Sequence, residues 1–239
     1  MQILFVGLSA LLAGFVQTVT GFGAGIIIML VLPYVTSLAT ASGINGCITL
    51  FLNISLVIYF WKHINFKKIA LPAIITMVLS TLAVNLVTIL PVDTLKLVFS
   101  IFIVILAIYF NFFNKVEIKD NLLTMAICSI ISGIGNGLFG IAGPPMVLYY
   151  LSACKKKEEY IGTIQLFFFI VGFYASLIRL MSGIITVDLL PSIVIGIIMV
   201  LIGKKLGTLI VNKLSVDKMK KYIYIFLGIV GIIQLIQCF

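Results

Sequence analysis

Gln17-Thr18-Val19-Thr20-Gly21-Phe22-Gly23-Ala24-Gly25 interrupts the first apolar stretch of this chain, and a similar interruption returns half a chain later. There the sequence reads Gly135-Asn136-Gly137-Leu138-Phe139-Gly140-Ile141-Ala142-Gly143-Pro144-Pro145. Gly14, Gln17, Gly21 and Gly23 recur as Gly133, Asn136, Gly140 and Ala142, each 119 residues on in a chain of 239. Pro72 and Pro191 keep that spacing, and Asp93 and Phe102 answer Asp217 and Phe226 at 124. Many carriers build a site near the bilayer midplane from two copies of an apolar unit, each with a broken helix. The expected fold is an all-α polytopic membrane protein with a single domain over 1–239. Its two homologous halves, 1–114 and 120–239, are inverted relative to each other. Each holds a broken or re-entrant glycine-rich helix pair plus three transmembrane helices.

Composition supports the membrane reading. The chain is 62% hydrophobic and 10% charged, with a mean hydropathy of +1.30. A soluble domain of this size has too little interior for so much apolar surface. The N-terminal residues read as a mature membrane segment rather than a removed signal peptide. A net charge of +9 would suggest nucleic acid in a soluble protein; here basic loops holding one face at the cytoplasmic surface explain it, and no nucleic-acid partner is expected. Cys47, Cys128, Cys154 and Cys238 form no CxxC pair, so neither disulfide nor metal is expected. Nucleotide-binding, Ser-His-Asp and metal-ligand spacings are missing, so neither an enzyme nor a cofactor is expected.

Apolar stretches lie at 3–34, 41–61, 66–90, 94–113, 121–151, 160–181, 188–211 and 221–238. A span needs about 20 helical residues, so the first and fifth are too long for a simple crossing. They are broken at Thr20–Gly25 and Gly133–Pro145. If both are re-entrant hairpins, every basic residue except Lys96 and Arg179 falls on one face, a strong positive-inside bias. Six full spans with both termini outside are therefore expected. Two hairpin tips from inverted halves would meet centrally, enclosed by protein, because bare backbone groups cannot face lipid.

The breaks are the candidate site. Glycines leave N–H groups bare, and the arm after each break begins a helix whose N-terminus suits an anion. Candidate substrate-binding residues are Gln17, Thr18, Thr20, Gly21 and Gly23 in the first break, with Asn136, Gly140, Ala142 and Gly143 in the second. Asn45 and Gln165 nearly correspond across the repeat and join them. Asn45, Thr49, Asn53, Asn85, Thr163 and Gln165 are polar residues within spans, where interhelical hydrogen bonding is the alternative role. For the glycines that alternative is close helix packing. Arg179 is the single arginine; it either snorkels to the interface or attracts an anion. All seven acids fall in loops or at helix ends, so the neutral, donor-rich midplane favours anionic cargo.

At these residues the chain resembles the sulfite exporter TauE/SafE family of membrane permeases. The likeness rests on Gly14-x-x-Gln17-x-x-x-Gly21-Phe22-Gly23-Ala24-Gly25 running to Pro33, and on Gly137–Pro145 followed by Tyr149-Tyr150-Leu151. Thr163, Arg179, Gly183 and Gly203-x-x-x-Gly207 fit as well. The resemblance implies an integral carrier in the cytoplasmic membrane, built by duplication, for sulfite, organosulfonates or related small sulfur-containing anions. A secondary transporter, most simply an exporter, is the leading expectation. An anion channel and a non-transporting membrane scaffold are the alternatives.

Overall fold

The computed structural model describes residues 2–95, 97–99, 101–102, 105, 119–214 and 218. Glycine conformation sets the first boundaries. Helix α1 (Gln2–Thr20) ends where Gly21 and Gly23 take φ of 86° and 107°, left-handed values that side chains rarely tolerate. The short helix α2 (Ala24–Val31) follows and closes in a 3₁₀ turn, Leu32–Tyr34, that lies back against α1. Gly140, with φ 69°, ends α5 (Leu122–Phe139) in the same way, and α6 (Gly143–Ala153) returns along it. Ser132 Oγ donates to the Ala142 carbonyl, and Lys68 reaches both Asp120, just before α5, and the carbonyl of Ala153 at the end of α6. Each break is therefore a hairpin with one long and one short arm.

Between and after the hairpins run α3 (Leu38–Phe60), α4 (Ala70–Ile89), α7 (Lys157–Met181) and α8 (Leu190–Val211). Ser37 caps α3 by accepting from the Thr40 N–H, and Asn121 caps α5 by accepting from the Thr124 N–H. Residues 92–95 and 97–99 are helical, and the rings of Phe99 and Phe102 lie 4.8 and 5.6 Å from that of Phe139. No strand occurs among the described residues.

Among the described residues, six helical segments are long and apolar enough to cross a membrane: Gln2–Thr20, Leu38–His63, Phe66–Ile89, Leu122–Phe139, Lys157–Met181 and Val187–Val211. Four match expected full spans. The other two are the long arms α1 and α5, which at about 1.5 Å per residue run nearly the depth of a bilayer core. The expected spans at 94–113 and 221–238 lie largely or wholly outside the described residues, as do Asp217, Phe226, Lys96 and Cys238.

Side chains are sorted for lipid. Leu4, Leu8 and Leu12 on α1, Ile74, Val78 and Leu82 on α4, and Val194, Ile198 and Ile202 on α8 are exposed. Ser9, Ser42, Asn45, Thr76, Ser80, Ser129 and Asn136 are buried. That is the arrangement for a hydrocarbon solvent, in which small and polar residues mediate helix contact.

Helix direction follows from particular contacts. A Cβ placed on Gly14 would lie 2.1 Å from the Val200 carbonyl oxygen, and one on Gly207 would lie 2.9 Å from that of Phe15. Residue numbers rise together, so α1 and α8 are parallel. Thr76 donates to the Ser129 carbonyl and Ser80 to that of Gly133, which makes α4 and α5 parallel too. By contrast α3 and α7 are antiparallel: Gly46 lies beside Ser176, and Gly162 beside Phe60. The two hairpins thus enter from opposite ends of the bundle. At the end where α3 and α4 meet, Lys62, Lys67 and Lys68 gather with Lys155–Lys157; Asn65 donates to Glu159, and Lys157 donates to the carbonyls of Val211 and Leu214.

One boundary differs from expectation. The sequence places the second break over Gly133–Pro145, yet α5 stays helical through Phe139. Gly133 and Gly137 are packing positions: a Cβ there would lie 2.9 Å from the Thr76 carbonyl oxygen and 2.6 Å from that of Ser80. Close approach of α4 to α5 requires them, and the chain leaves the helix only at Gly140.

Candidate anion site between the hairpin tips

The tips pass each other inside the bundle. The first reaches the level of Asn53 on α3 and the second the level of Asn45, each about 10 Å in from one end of that helix. Gly25 and Gly140 nearly touch there, since a Cβ on Gly25 would lie 3.0 Å from the Gly140 carbonyl oxygen. Between them is a cavity of about 40 Å³, lined by Gln17, Gly23, Gly25, Ile26, Gly46, Thr49, Asn53, Asn136, Gly140, Ile141, Ala142, Gly143, Phe168, Gly172 and Arg179. A water needs about 10–15 Å³ measured in this way, so the space suits a few waters or one small ion.

Its electrostatics are one-sided. Arg179 is 1% exposed. Its Nη2 donates to the carbonyls of Asn136 at 2.5 Å and Gly137 at 2.9 Å, and its Nε to Ser42 Oγ at 3.2 Å. Nη1 donates to no protein atom among the described residues, nor does any carboxylate there pair with the guanidinium. A buried cation without a counter-ion is costly unless something negative joins it. Part of that balance comes from the carbonyl end of α5. The starts of α2 and α6 add positive potential from two further directions. The N–H groups of Gly25 and Ile26, in the first turn of α2, donate to no backbone carbonyl among the described residues.

The sequence-selected residues divide by position. Gln17, Gly23, Asn136, Gly140, Ala142, Gly143 and Arg179 line the cavity. Gln17 does so as a brace: its Oε1 accepts from the Ala24 N–H at 3.1 Å, and its Nε2 donates to Asn53 Oδ1 at 2.6 Å and Gln165 Oε1 at 3.0 Å. Asn136 likewise donates to Ser80 Oγ and the Val171 carbonyl. Thr18 is turned away. Its hydroxyl returns to the Gly14 carbonyl, and its methyl side packs on Gly207. Thr20 spans its own turn, bonding the carbonyls of Val16 and Phe22.

Asn45 and Gln165 hold the tips. Gln165 Nε2 donates to the Gly21 carbonyl at 2.6 Å, and Asn45 Nδ2 donates to the Gly140 carbonyl at 3.1 Å. Asn45, on α3 after the first hairpin, grips the second hairpin, and Gln165, on α7 after the second, grips the first. Gly25, Ile26, Gly46, Thr49, Asn53, Ile141, Phe168 and Gly172 complete the lining, and of these Gly46, Phe168 and Gly172 carried no polar signal in the sequence.

Comparison with curated proteins found no match, and neither did comparison with solved structures. The family model described as sulfite exporter TauE/SafE matches residues 6–233. With that match over nearly its whole length, this multi-pass membrane chain belongs to the sulfite exporter TauE/SafE family.

Proposed function

We propose that this chain is a secondary transporter for a small sulfur-containing anion, of the sulfite or sulfonate kind, in the cytoplasmic membrane. One observation carries the reading: Arg179, buried without a carboxylate, lines a small cavity where two short helices begin. The guanidinium would bind the anion's oxygens through Nη1, and the N–H groups of Gly25 and Ile26 would replace water on another side. Gln17 and Asn136 fix the walls rather than lend free donors. We read the halves as inverted copies: α1 on α8 answers α5 on α4, and the equivalent helices α3 and α7 meet antiparallel. Alternating access then consists of one half rocking on the other, with release of the Gln165 grip opening one side and release of the Asn45 grip the other.

An exporter of a monovalent anion needs no carboxylate for coupling. An inside-negative potential drives such an anion outward by about 2.3 kcal/mol per 100 mV. In proteoliposomes, radiolabelled sulfite flux is expected to saturate, to show counterflow, and to rise when a potassium diffusion potential favours anion movement. Unitary currents would favour the channel alternative. Absence of sulfite and sulfonate flux from well-folded protein would refute the transport assignment.

A further inference from the structure

Gly172 lies in the middle of α7, and no close contact explains why it lacks a side chain. A Cβ on Gly14, Gly133, Gly137 or Gly203 would lie within 3 Å of a backbone oxygen on a neighbouring helix. At Gly172 nothing among the described residues lies within 4 Å. Gly183 is also open, but it sits in a turn with φ 71°. Glycine inside a helix sacrifices stability relative to alanine, so one facing open space calls for another reason. The open space is the cavity, since Gly172 lines it together with Phe168 one turn before. One turn after stands Ser176, whose buried Oγ has no hydrogen-bond partner among the described residues; Arg179, which lines the cavity, follows. One face of α7 therefore offers, in order, a ring, a gap, a hydroxyl and a guanidinium.

We propose that Gly172 sets the size of the cargo. The inference rests on the transport reading and sharpens it. The oxygens of the anion sit at Arg179, and the gap beside Gly172 and Phe168 takes one small substituent on sulfur, about the size of a methyl group or a second sulfur atom. A methyl at position 172 occupies that gap without striking protein.

The test is competition against radiolabelled sulfite in proteoliposomes by thiosulfate, methanesulfonate and 2-aminoethanesulfonate, with wild type and Gly172→Ala compared. Gly172→Ala is expected to weaken thiosulfate and methanesulfonate about tenfold or more, and sulfite itself only about threefold. The largest anion competes weakly with both proteins. Melting temperature is expected to rise by about 2 °C, as for glycine to alanine in an unhindered helix. Equal weakening of all the anions would overturn the proposal, as would a misfolded or less stable variant, because either result means that position 172 packs against protein. If wild type moves none of the anions, the transport reading fails and this inference fails with it. Normal wild-type flux with superimposable size profiles would refute the role of Gly172 alone.

Discussion

Arg179→Gln is expected to lower sulfite flux by about a hundredfold or more in protein that still purifies as a folded species. Glutamine keeps hydrogen-bond donors for the carbonyls of Asn136 and Gly137, which Arg179 Nη2 holds now. It lacks the charge and the free Nη1 arm. Losing one partner of a desolvated, hydrogen-bonded charge pair costs about 2–5 kcal/mol, and every 1.4 kcal/mol is a factor of ten. Arg179→Lys separates charge from geometry. A lysine retains a point charge but cannot cap α5 and bind a guest with one rigid fork, so about tenfold loss is expected. Flux by Arg179→Gln within about threefold of wild type would leave the arginine as a brace for α5 only.

Gly203→Val is expected to cause the largest loss of stability. A Cβ there would lie 2.0 Å from the Leu11 carbonyl oxygen and 2.9 Å from the Phe15 nitrogen, both of which are backbone atoms that cannot swing aside. Gly14 meets the Val200 carbonyl at 2.1 Å from the other side, so α1 and α8 are interlocked through glycines on both helices. In lipid such contacts rest on close packing more than on hydrophobic burial. Overpacking here is expected to cost about 3 kcal/mol, and a chain of this length then melts about 6–12 °C lower in detergent. An unchanged melting temperature would mean that the α1–α8 contact is looser than described. The contrast with Gly172 is informative: the same residue type in the same bundle serves contact at one position and, on our proposal, vacancy at the other.

Much of this arrangement was legible in the sequence. Breaks could be expected where glycines interrupt a long apolar stretch, and the turns at Gly21, Gly23 and Gly140 stand within those segments. The near-equivalence of Asn45 and Gln165 marked two residues that each donate to a hairpin-tip carbonyl, although neither lines the cavity. Other features were hidden for physical reasons. An apolar membrane helix carries little contrast between its faces, so nothing told Thr18, against Gly207, from Gln17, against the cavity. A glycine within a helix reads the same whether it packs, like Gly133, or faces a cavity, like Gly172. Arg179 near the end of a span could equally snorkel outward or turn in, and only its burial decides.

Transport of this kind requires an anion to lie where Arg179 faces the starts of α2 and α6. Selenite, the heavier analogue of sulfite, can be located by anomalous scattering in crystals of the wild-type protein. The predicted result is a single strong peak within hydrogen-bond reach of Arg179 Nη1, among Gly25, Ile26, Ala142 and Gly143, and absent from Arg179→Gln crystals. Peaks confined to the basic loops around Lys62, Lys67 and Lys156, with none in the cavity, would contradict it.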